Sequence, residues 1–317
     1  MGNQRSITVN GDLGSGKSTV SVGLSERLHL RRISVGDLYR EMARERGMTA
    51  LQLNLHAELD DVIDGTVDSM QREIAESGQR VIMDSRLAWF FFTEGFKIHL
   101  ITDPTVAARR VLGRPANEVE NYATLEEAKD QLRSRSESER QRFLTRYHAD
   151  KHALRNYDLV LDTTRARPEE VVEMAVAAVE GRLGAEILAG SPPLLLLDPA
   201  RIYPTGDIGA LRGMSDDDAA GLAGPDALEP ISIGYADSRF FVVDGHRRLS
   251  AALRAGFRLV AGTLLAQDND PVVGGLTARE FFASTVTMSK VYDWQEAHGT
   301  ELEMPAHALG DPAPAHN

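Results

Sequence analysis

The chain has 317 residues, a formal net charge of −12, 42% hydrophobic and 26% charged side chains, and no cysteine. Such a length supports a sizeable core and predicts two domains. The acidic balance argues against a broad nucleic-acid-binding face, and the missing cysteine removes disulfides, thiolate metal sites and a cysteine nucleophile.

No apolar run approaches the ~18 residues of a spanning helix. The first residues lack the apolar core of a signal peptide. The expectation is a cytoplasmic protein with no membrane partner, and the oligomeric state stays open.

Ile7-Thr8-Val9 predicts a strand and Val20 to Leu28 an amphipathic helix. Between them lies Gly11-Asp12-Leu13-Gly14-Ser15-Gly16-Lys17-Ser18-Thr19, which fits G-x-x-x-x-G-K-[ST] in the strand–turn–helix context that a phosphate-binding loop requires. Glycines let backbone N–H groups face a phosphate, and the helix presents its positive end to the same anion. Gly11, Gly14, Ser15, Gly16, Lys17, Ser18 and Thr19 are therefore the expected ATP-binding set. Lys17 would reach the β- and γ-phosphates and Ser18 would ligate Mg²⁺.

Arg32 to Val35 predicts a strand and Gly36 to Ala43 the start of a helix. Leu53 to Ile74 is helical by spacing, with Asp60, Asp61, Asp64 and Asp68 on a solvated outer face. Arg80 to Asp84 is a compact strand ending in a carboxylate, and Lys97 to Ile101 is another. Pro104 opens a helix to Val111, Gly113 to Tyr122 is a loop, and Leu125 to Tyr147 is a long charged helix. Leu159 to Asp162 is a last strand, and Pro168 starts a last helix. Strands alternating with helices predict a parallel sheet covered on both faces, with ligands at the carboxyl ends of the strands, where Asp84 falls.

The charged helix carries Arg133, Arg135, Arg140, Arg142 and Arg146. Arg135 and Arg142 share a face, with Glu139 four residues beyond Arg135. Two readings stand side by side: charge stabilisation of a transferring phosphoryl group, or a salt-bridged surface helix.

Five segments in order give the first half a resemblance to the cytidylate kinases, in particular the short archaeal type of nucleoside monophosphate (NMP) kinase. They are Gly14 to Thr19, Ser34-Val35-Gly36-Asp37-Leu38-Tyr39-Arg40-Glu41, Asp84-Ser85-Arg86-Leu87-Ala88, Arg135 to Arg142, and Tyr157-Asp158-Leu159-Val160-Leu161-Asp162-Thr163. The resemblance implies an α/β P-loop NMP-kinase fold, with ATP and Mg²⁺ held at Lys17 and Ser18.

It further implies an acceptor monophosphate clamped by Arg40 and Arg86, with Asp37 beside them, and Arg135 and Arg142 closing over the transferring group. Arg109, Arg110 or Arg114 would contribute from a lid. Asp84 would hold a metal-bound water, or act as a base if the acceptor were an alcohol. Two departures stand out: the family's Glu-Gly before the arginine is Asp-Ser here, and its glycine after R-L-A is Trp89, followed by Phe90 to Phe92. Those aromatics either pack the core or reshape the acceptor pocket.

Composition shifts after Gly181, and Ser191-Pro192-Pro193 reads as a linker. Pro230 to Tyr235 and Arg239 to Val243 predict two strands around Ala236-Asp237-Ser238. Asp244-Gly245-His246-Arg247-Arg248 turns into a helix ended by Gly256, and Leu259 to Leu265 is a further strand. The stretch from Leu194 to Ala266 resembles the small α+β ParB/sulfiredoxin-like domain. That resemblance implies a helix-start anion site at Gly245, His246, Arg247 and Arg248, with Arg247 and Arg248 on a nucleotide phosphate.

The expected organisation is a kinase-like domain over 1–185, a linker over 186–193, a ParB-like domain over 194–300 and a disordered tail over 301–317. The expected activity is phosphoryl transfer from ATP to an NMP, with CMP or dCMP as acceptor. Lys17, Asp84, Arg135 and Arg142 are the expected catalytic residues, and Ser18 and Asp84 the metal residues. The alternatives are a kinase of a small hydroxyl-bearing metabolite and a nucleotide-sensing regulator.

Overall fold

The computed structural model describes residues 5–48, 61–113, 122–183, 191–208 and 229–309, with the side chains of Tyr39, Arg40 and positions 61–64 and 273 left aside. Arg114, Asp60, the acidic run Asp216 to Asp218, most of the expected loop before Tyr122 and much of the linker lie outside the described residues. The chain divides into two compact units, Met1–Ile187 and Leu188–Asn317.

The first unit runs β1 (Ile7–Gly11), α1 (Lys17–Leu28), β2 (Arg31–Ser34), α2 (Val35–Glu45), α3 (Asp61–Glu76), β3 (Val81–Asp84), α4 (Ala88–Phe91), β4 (Phe96–Ile101), α5 (Pro104–Leu112), α6 (Leu125–Tyr147), β5 (Leu159–Asp162) and α7 (Pro168–Val179). Its strands pair in the order β2-β3-β1-β4-β5, all parallel. β3 and β5 are buried along their whole length, as strands covered on both faces must be. β1 lies between β3 and β4; the chain leaves it through α1 to β2 on the β3 side and later crosses from β3 past β1 to β4. The crevice of this open sheet therefore lies beyond the carboxyl end of β1, where the phosphate loop begins.

Local chemistry fixes the helix boundaries. Asp103 caps α5 by accepting from the N–H groups of Thr105 and Val106, with Pro104 in the first turn. Thr124 caps α6 through the Glu127 N–H, and His148 closes it in a left-handed conformation, φ 53°. Phe96, Ile98 and Leu100 of β4 are buried, as are Ala107, Ala108 and Val111 of α5, and Ala128 and Leu132 of α6 seal that helix pair.

The solvated face expected for the acids of α3 is corrected at Asp68. That carboxylate is only 8% exposed and accepts a hydrogen bond from the Tyr147 hydroxyl of α6. Spacing on one helix cannot reveal that another helix lies over it.

The second unit comprises β6 (Leu194–Leu197), β7 (Ile202–Tyr203), β8 (Ile231–Ala236), β9 (Arg239–Asp244), α8 (His246–Arg254), β10 (Val260–Gln267), α9 (Ala278–Thr285) and α10 (Met288–His298). β10 pairs antiparallel with β6 and parallel with β8. β9 pairs antiparallel with β8 and parallel with β7. Gly234 leaves room for the Phe241 ring, since a Cβ there would lie 2.1 Å from it. Phe241, Phe282 and Trp294 fill the core.

The disordered tail expected from 301 is corrected for its described part. Leu302 and Pro305 are buried, Tyr203 donates to the Glu303 carbonyl at 2.5 Å, and the His307 ring meets Phe282 edge-on. The apolar faces of α9 and β7 hold this part of a tail whose composition alone reads as unstructured.

Candidate active site

The phosphate loop is set by three glycines. Gly14 and Gly16 take φ of 80° and 83°, a region that other residues enter at a cost. A Cβ on Gly14 would also sit 2.9 Å from the Ala107 backbone, so α5 packs directly on the loop. At Gly11 a Cβ would meet Ser15 Oγ at 2.7 Å. The Ser15 hydroxyl is buried and finds no partner among the described residues. Lys17 opens α1, and Ser18 and Thr19 lie exposed in its first turn. A tight cradle, an orphaned hydroxyl and a helix start suit a triphosphate.

Asp84 ends β3 beside this loop. One carboxylate oxygen meets the Lys17 ammonium. The other accepts from Ser21 Oγ at 2.8 Å and from the Arg32 guanidinium. Arg32 also donates to Ser21 Oγ at 2.8 Å and to Asp37 Oδ2 at 3.0 Å. Burial raises the Asp84 pKa, but Lys17, Ser21 and Arg32 outweigh it and hold the carboxyl below its ordinary value. Burial also drives the Lys17 ammonium below its usual range. The attraction of Asp84 opposes that shift, while the nearby charges of Arg86 and Arg32 add to it. Arg32 is raised: burial disfavours its charge, but its bond to Asp84 and the Asp84 charge prevail.

Asp84, the expected metal ligand or base, is engaged here by Lys17, Ser21 and Arg32. Its oxygens are already held by two cations and a hydroxyl. Among the described residues no group of three or more His, Asp or Glu is placed to hold a metal. Ser18, exposed in the first turn of α1, fits a Mg²⁺ that takes its other ligands from phosphate and water.

A second cluster lies beyond the loop after β3. Arg86 pairs with Glu139 of α6, Arg135 Nε lies 3.7 Å from the same carboxylate, and Lys151 Nζ is 3.4 Å from its other oxygen. Lys151 also donates to Ser136 Oγ at 3.0 Å. Burial lowers the Arg86 pKa, Glu139 raises it, and Arg135 and Arg142 lower it further, so the three arginines share one field. Glu139 is held below its ordinary value: burial raises it, and Arg86, Lys151 and Arg135 overcome that.

The charge of Arg86 acts on Lys17, and those of Arg135 and Arg142 act on Arg86. Glu139 salt-bridges Arg86 and Arg135, as the salt-bridged reading of α6 expects, and Arg142 is exposed.

Other expected residues fall elsewhere. Arg110 donates to the carbonyls of Gly14 and Thr163 and to Thr163 Oγ1, so it braces the phosphate loop. Arg109 is exposed on α5. Asp37 is tied to Arg32, and its N–H donates to Ser34 Oγ. The Arg40 side chain lies outside the described residues.

Trp89 is buried. Its Nε1 donates to the Arg86 carbonyl at 3.2 Å, and its ring meets Tyr157 at 5.6 Å, so it anchors the arginine's backbone. In the second unit, Gly245 opens α8 at φ 104°. The His246 ring nitrogen accepts from the Gly206 N–H at 2.9 Å. Arg248 is tied to the Pro230 carbonyl and Asp244, and Arg247 is exposed.

Sequence reasoning missed Arg32, Lys151 and the network of Asn10, His99 and Tyr157. Asn10 Nδ2 donates to the Tyr157 hydroxyl at 2.7 Å and lies 3.0 Å from His99 Nδ1. Tyr157 donates to the Lys151 carbonyl at 2.8 Å. An arginine inside an otherwise short strand was the available signal for Arg32. Nothing local marked Lys151.

A parallel five-stranded sheet, a phosphate loop at its switch point and an arginine-lined crevice define a P-loop phosphotransferase. Residues 7–142 match the family model described as an AAA domain. The chain is 41% identical over 177 residues to the cytidylate kinase of Natronomonas pharaonis, covering 54% of this chain and 89% of that one. It is 40% identical over 176 residues to the cytidylate kinase of Haloarcula marismortui, covering 55% and 88%.

Among solved structures, a shikimate kinase from Bacteroides thetaiotaomicron aligns with a TM-score of 0.43 and 17% identity, covering 57% of this chain and 99% of that one. Through its first half the chain belongs to the cytidylate kinase family.

Proposed function

We propose that the protein transfers the γ-phosphoryl group of ATP to a nucleoside monophosphate, with CMP or dCMP as acceptor, and that its second unit is a nucleotide-binding accessory. The state of Asp84 carries the choice of a phosphate acceptor. An alcohol acceptor needs a base, and the carboxylate standing where that base would be is paired with Lys17 and Arg32 and holds its proton weakly. When Lys17 turns to the ATP phosphates, Arg32 remains on Asp84.

A monophosphate brings its own anionic oxygen at neutral pH and needs no base. Its charge suits Arg86, Arg135 and Arg142, whose donors would also neutralise the transferring group. Cytidine as the nucleoside follows the named activity of the relatives.

Mg²⁺ would neutralise charge across the β- and γ-oxygens. Ser18 would hold it, and the orphaned Ser15 hydroxyl and the loop N–H groups would orient the phosphates. For the second unit, the support is the ParB/sulfiredoxin-like pattern together with an exposed Arg247 beside the glycine that starts α8.

The test is a panel of monophosphates and small polyols with ATP and Mg²⁺, read by coupled ADP detection. CMP and dCMP should give the highest kcat/KM. Turnover of a polyol with none of any monophosphate would overturn the reading.

A further inference from the structure

Gln71 lies on α3 and is 2% exposed, and its amide oxygen has no hydrogen-bond partner among the described residues. A buried carbonyl left unpaired is costly, and a leucine would fill an inward helix position at no such cost. Asp68 stands one turn earlier on the same inward face, together with Val67. The Tyr147 hydroxyl donates to Asp68 and so fixes that carboxylate.

From Tyr147 an aromatic wall leads back to the phosphate clamp. Its ring is 5.6 Å from Phe90 and 6.2 Å from Phe91. Phe90 is 6.2 Å from Trp89, and the Trp89 indole bonds the Arg86 carbonyl. One end of this wall carries the arginine expected to grip an acceptor phosphate; at the other Tyr147 holds Asp68, and Gln71 with its unpartnered oxygen lies about one turn further along the same helix. Flat rings favour offset or edge contacts with a base, and the oxygens can satisfy only a donor.

Resting on the reading that the acceptor is a nucleoside monophosphate, we propose that Gln71 is a specificity-determining residue whose buried amide oxygen, with Asp68 beside it, receives the exocyclic amino group of the acceptor's base. Cytosine presents an amino donor at the position where uracil presents a carbonyl acceptor. Uracil at this place would set acceptor against acceptor, and a site with a buried polar group left unpaired rejects such an analogue strongly. The inference therefore selects amino-bearing bases and disfavours UMP and dTMP, and it accounts for the orphaned oxygen as a group that finds its partner only when the acceptor is bound.

The test compares kcat/KM for CMP and UMP, two acceptors of nearly equal size, in the full-length protein and in Gln71→Leu and Gln71→Met. Thermal melts verify that each variant folds. Both variants should narrow the CMP-over-UMP ratio by about tenfold or more, the loss falling on the KM for CMP. Asp68→Asn, which puts an amide donor within reach of a uracil carbonyl, should shift the ratio further towards UMP.

A CMP-over-UMP ratio that stays within twofold in folded Gln71 variants would overturn the proposal and leave the monophosphate reading intact. Failure of the wild-type protein to turn over any monophosphate would remove both together, so the two failures are told apart by the wild-type panel. The melts add an independent sign: CMP should stabilise the wild type more than Gln71→Leu, and equal stabilisation would count against the proposal.

Discussion

Lys151 and Glu139 meet at 3.4 Å with both side chains almost wholly buried, and through that contact the loop after α6 holds the carboxylate that in turn holds Arg86 and Arg135. Three cations share one anion. Removing the anion strands them, and a buried pair broken from one side costs about 3–5 kcal/mol. Arg86 and Arg135 are each about one third exposed, which moderates their share.

Glu139→Gln should therefore destabilise the protein by about 2–3 kcal/mol in urea unfolding. Inorganic phosphate should restore more stability to the variant than to the wild type, because it supplies the missing anion. Equal gains from phosphate in the two proteins would show that Glu139 does not gather the arginines.

The pairing of Asp84 with Lys17 and Arg32 leads to a second prediction. Asp84→Asn leaves two cations facing each other across a neutral amide. The protein without nucleotide should lose about 2–4 kcal/mol, and much of that loss should disappear when ATP is added, since the phosphates replace the carboxylate as partner of Lys17. Differential scanning fluorimetry with and without ATP measures both. A deficit of the same size in the two conditions would mean that Lys17 stays on position 84 when nucleotide is bound.

His99 gives the pH dependence a definite sign. The ring is buried, stacked on Tyr157 at 4.5 Å, and lowered to about 3 from 6.5 by burial, with His152 and Lys151 adding repulsion; Asp12 faces it at 3.9 Å. Between those two values the unfolded chain binds a proton that the native ring refuses. The stability His99 contributes is thus fully present above about pH 6.5 and is lost as pH falls.

Between pH 7.5 and pH 5 the loss is about 2 kcal/mol. Urea unfolding of the wild type and of His99→Gln at those two pH values should show the wild type losing that much more. Identical slopes would place the ring in contact with solvent.

The two arginines that start α8 should behave differently. Arg248 is bound to the Pro230 carbonyl at 2.6 Å and to Asp244 at 2.9 Å, whereas Arg247 is exposed. Arg248→Ala should lower the melting temperature by about 1–2 °C, as expected for about 1 kcal/mol in a chain of this size. Arg247→Ala should leave the melting temperature where it is. In a Lys17→Ala background, which weakens the phosphate loop, calorimetry should show residual CTP or ATP binding that Arg247→Ala removes. Residual binding that survives Arg247→Ala would exclude the start of α8 as a nucleotide site.

The sequence alone determined the parts that rest on local rules. A glycine pattern between a strand and a helix makes a phosphate loop because only glycine takes φ near 80° at Gly14 and Gly16 cheaply. The ends of α5 and α6 follow from Asp103, Pro104 and Thr124, each acting on N–H groups two or three residues away. Periods of burial placed the strands, and the alternation of strand and helix made the sheet parallel.

The tertiary structure decided which charges are neighbours. Strand pairing sets Ser34 opposite Asp84, and Arg32 on that adjacent strand reaches the carboxylate, a pairing that neither strand announces by itself. The lie of α6 over α3 buried Asp68, and the loop after α6 brought Lys151 to Glu139. These contacts join residues that are 52, 79 and 12 positions apart. No local periodicity encodes them, because the energy of each depends on burial and on a partner that only the folded chain supplies.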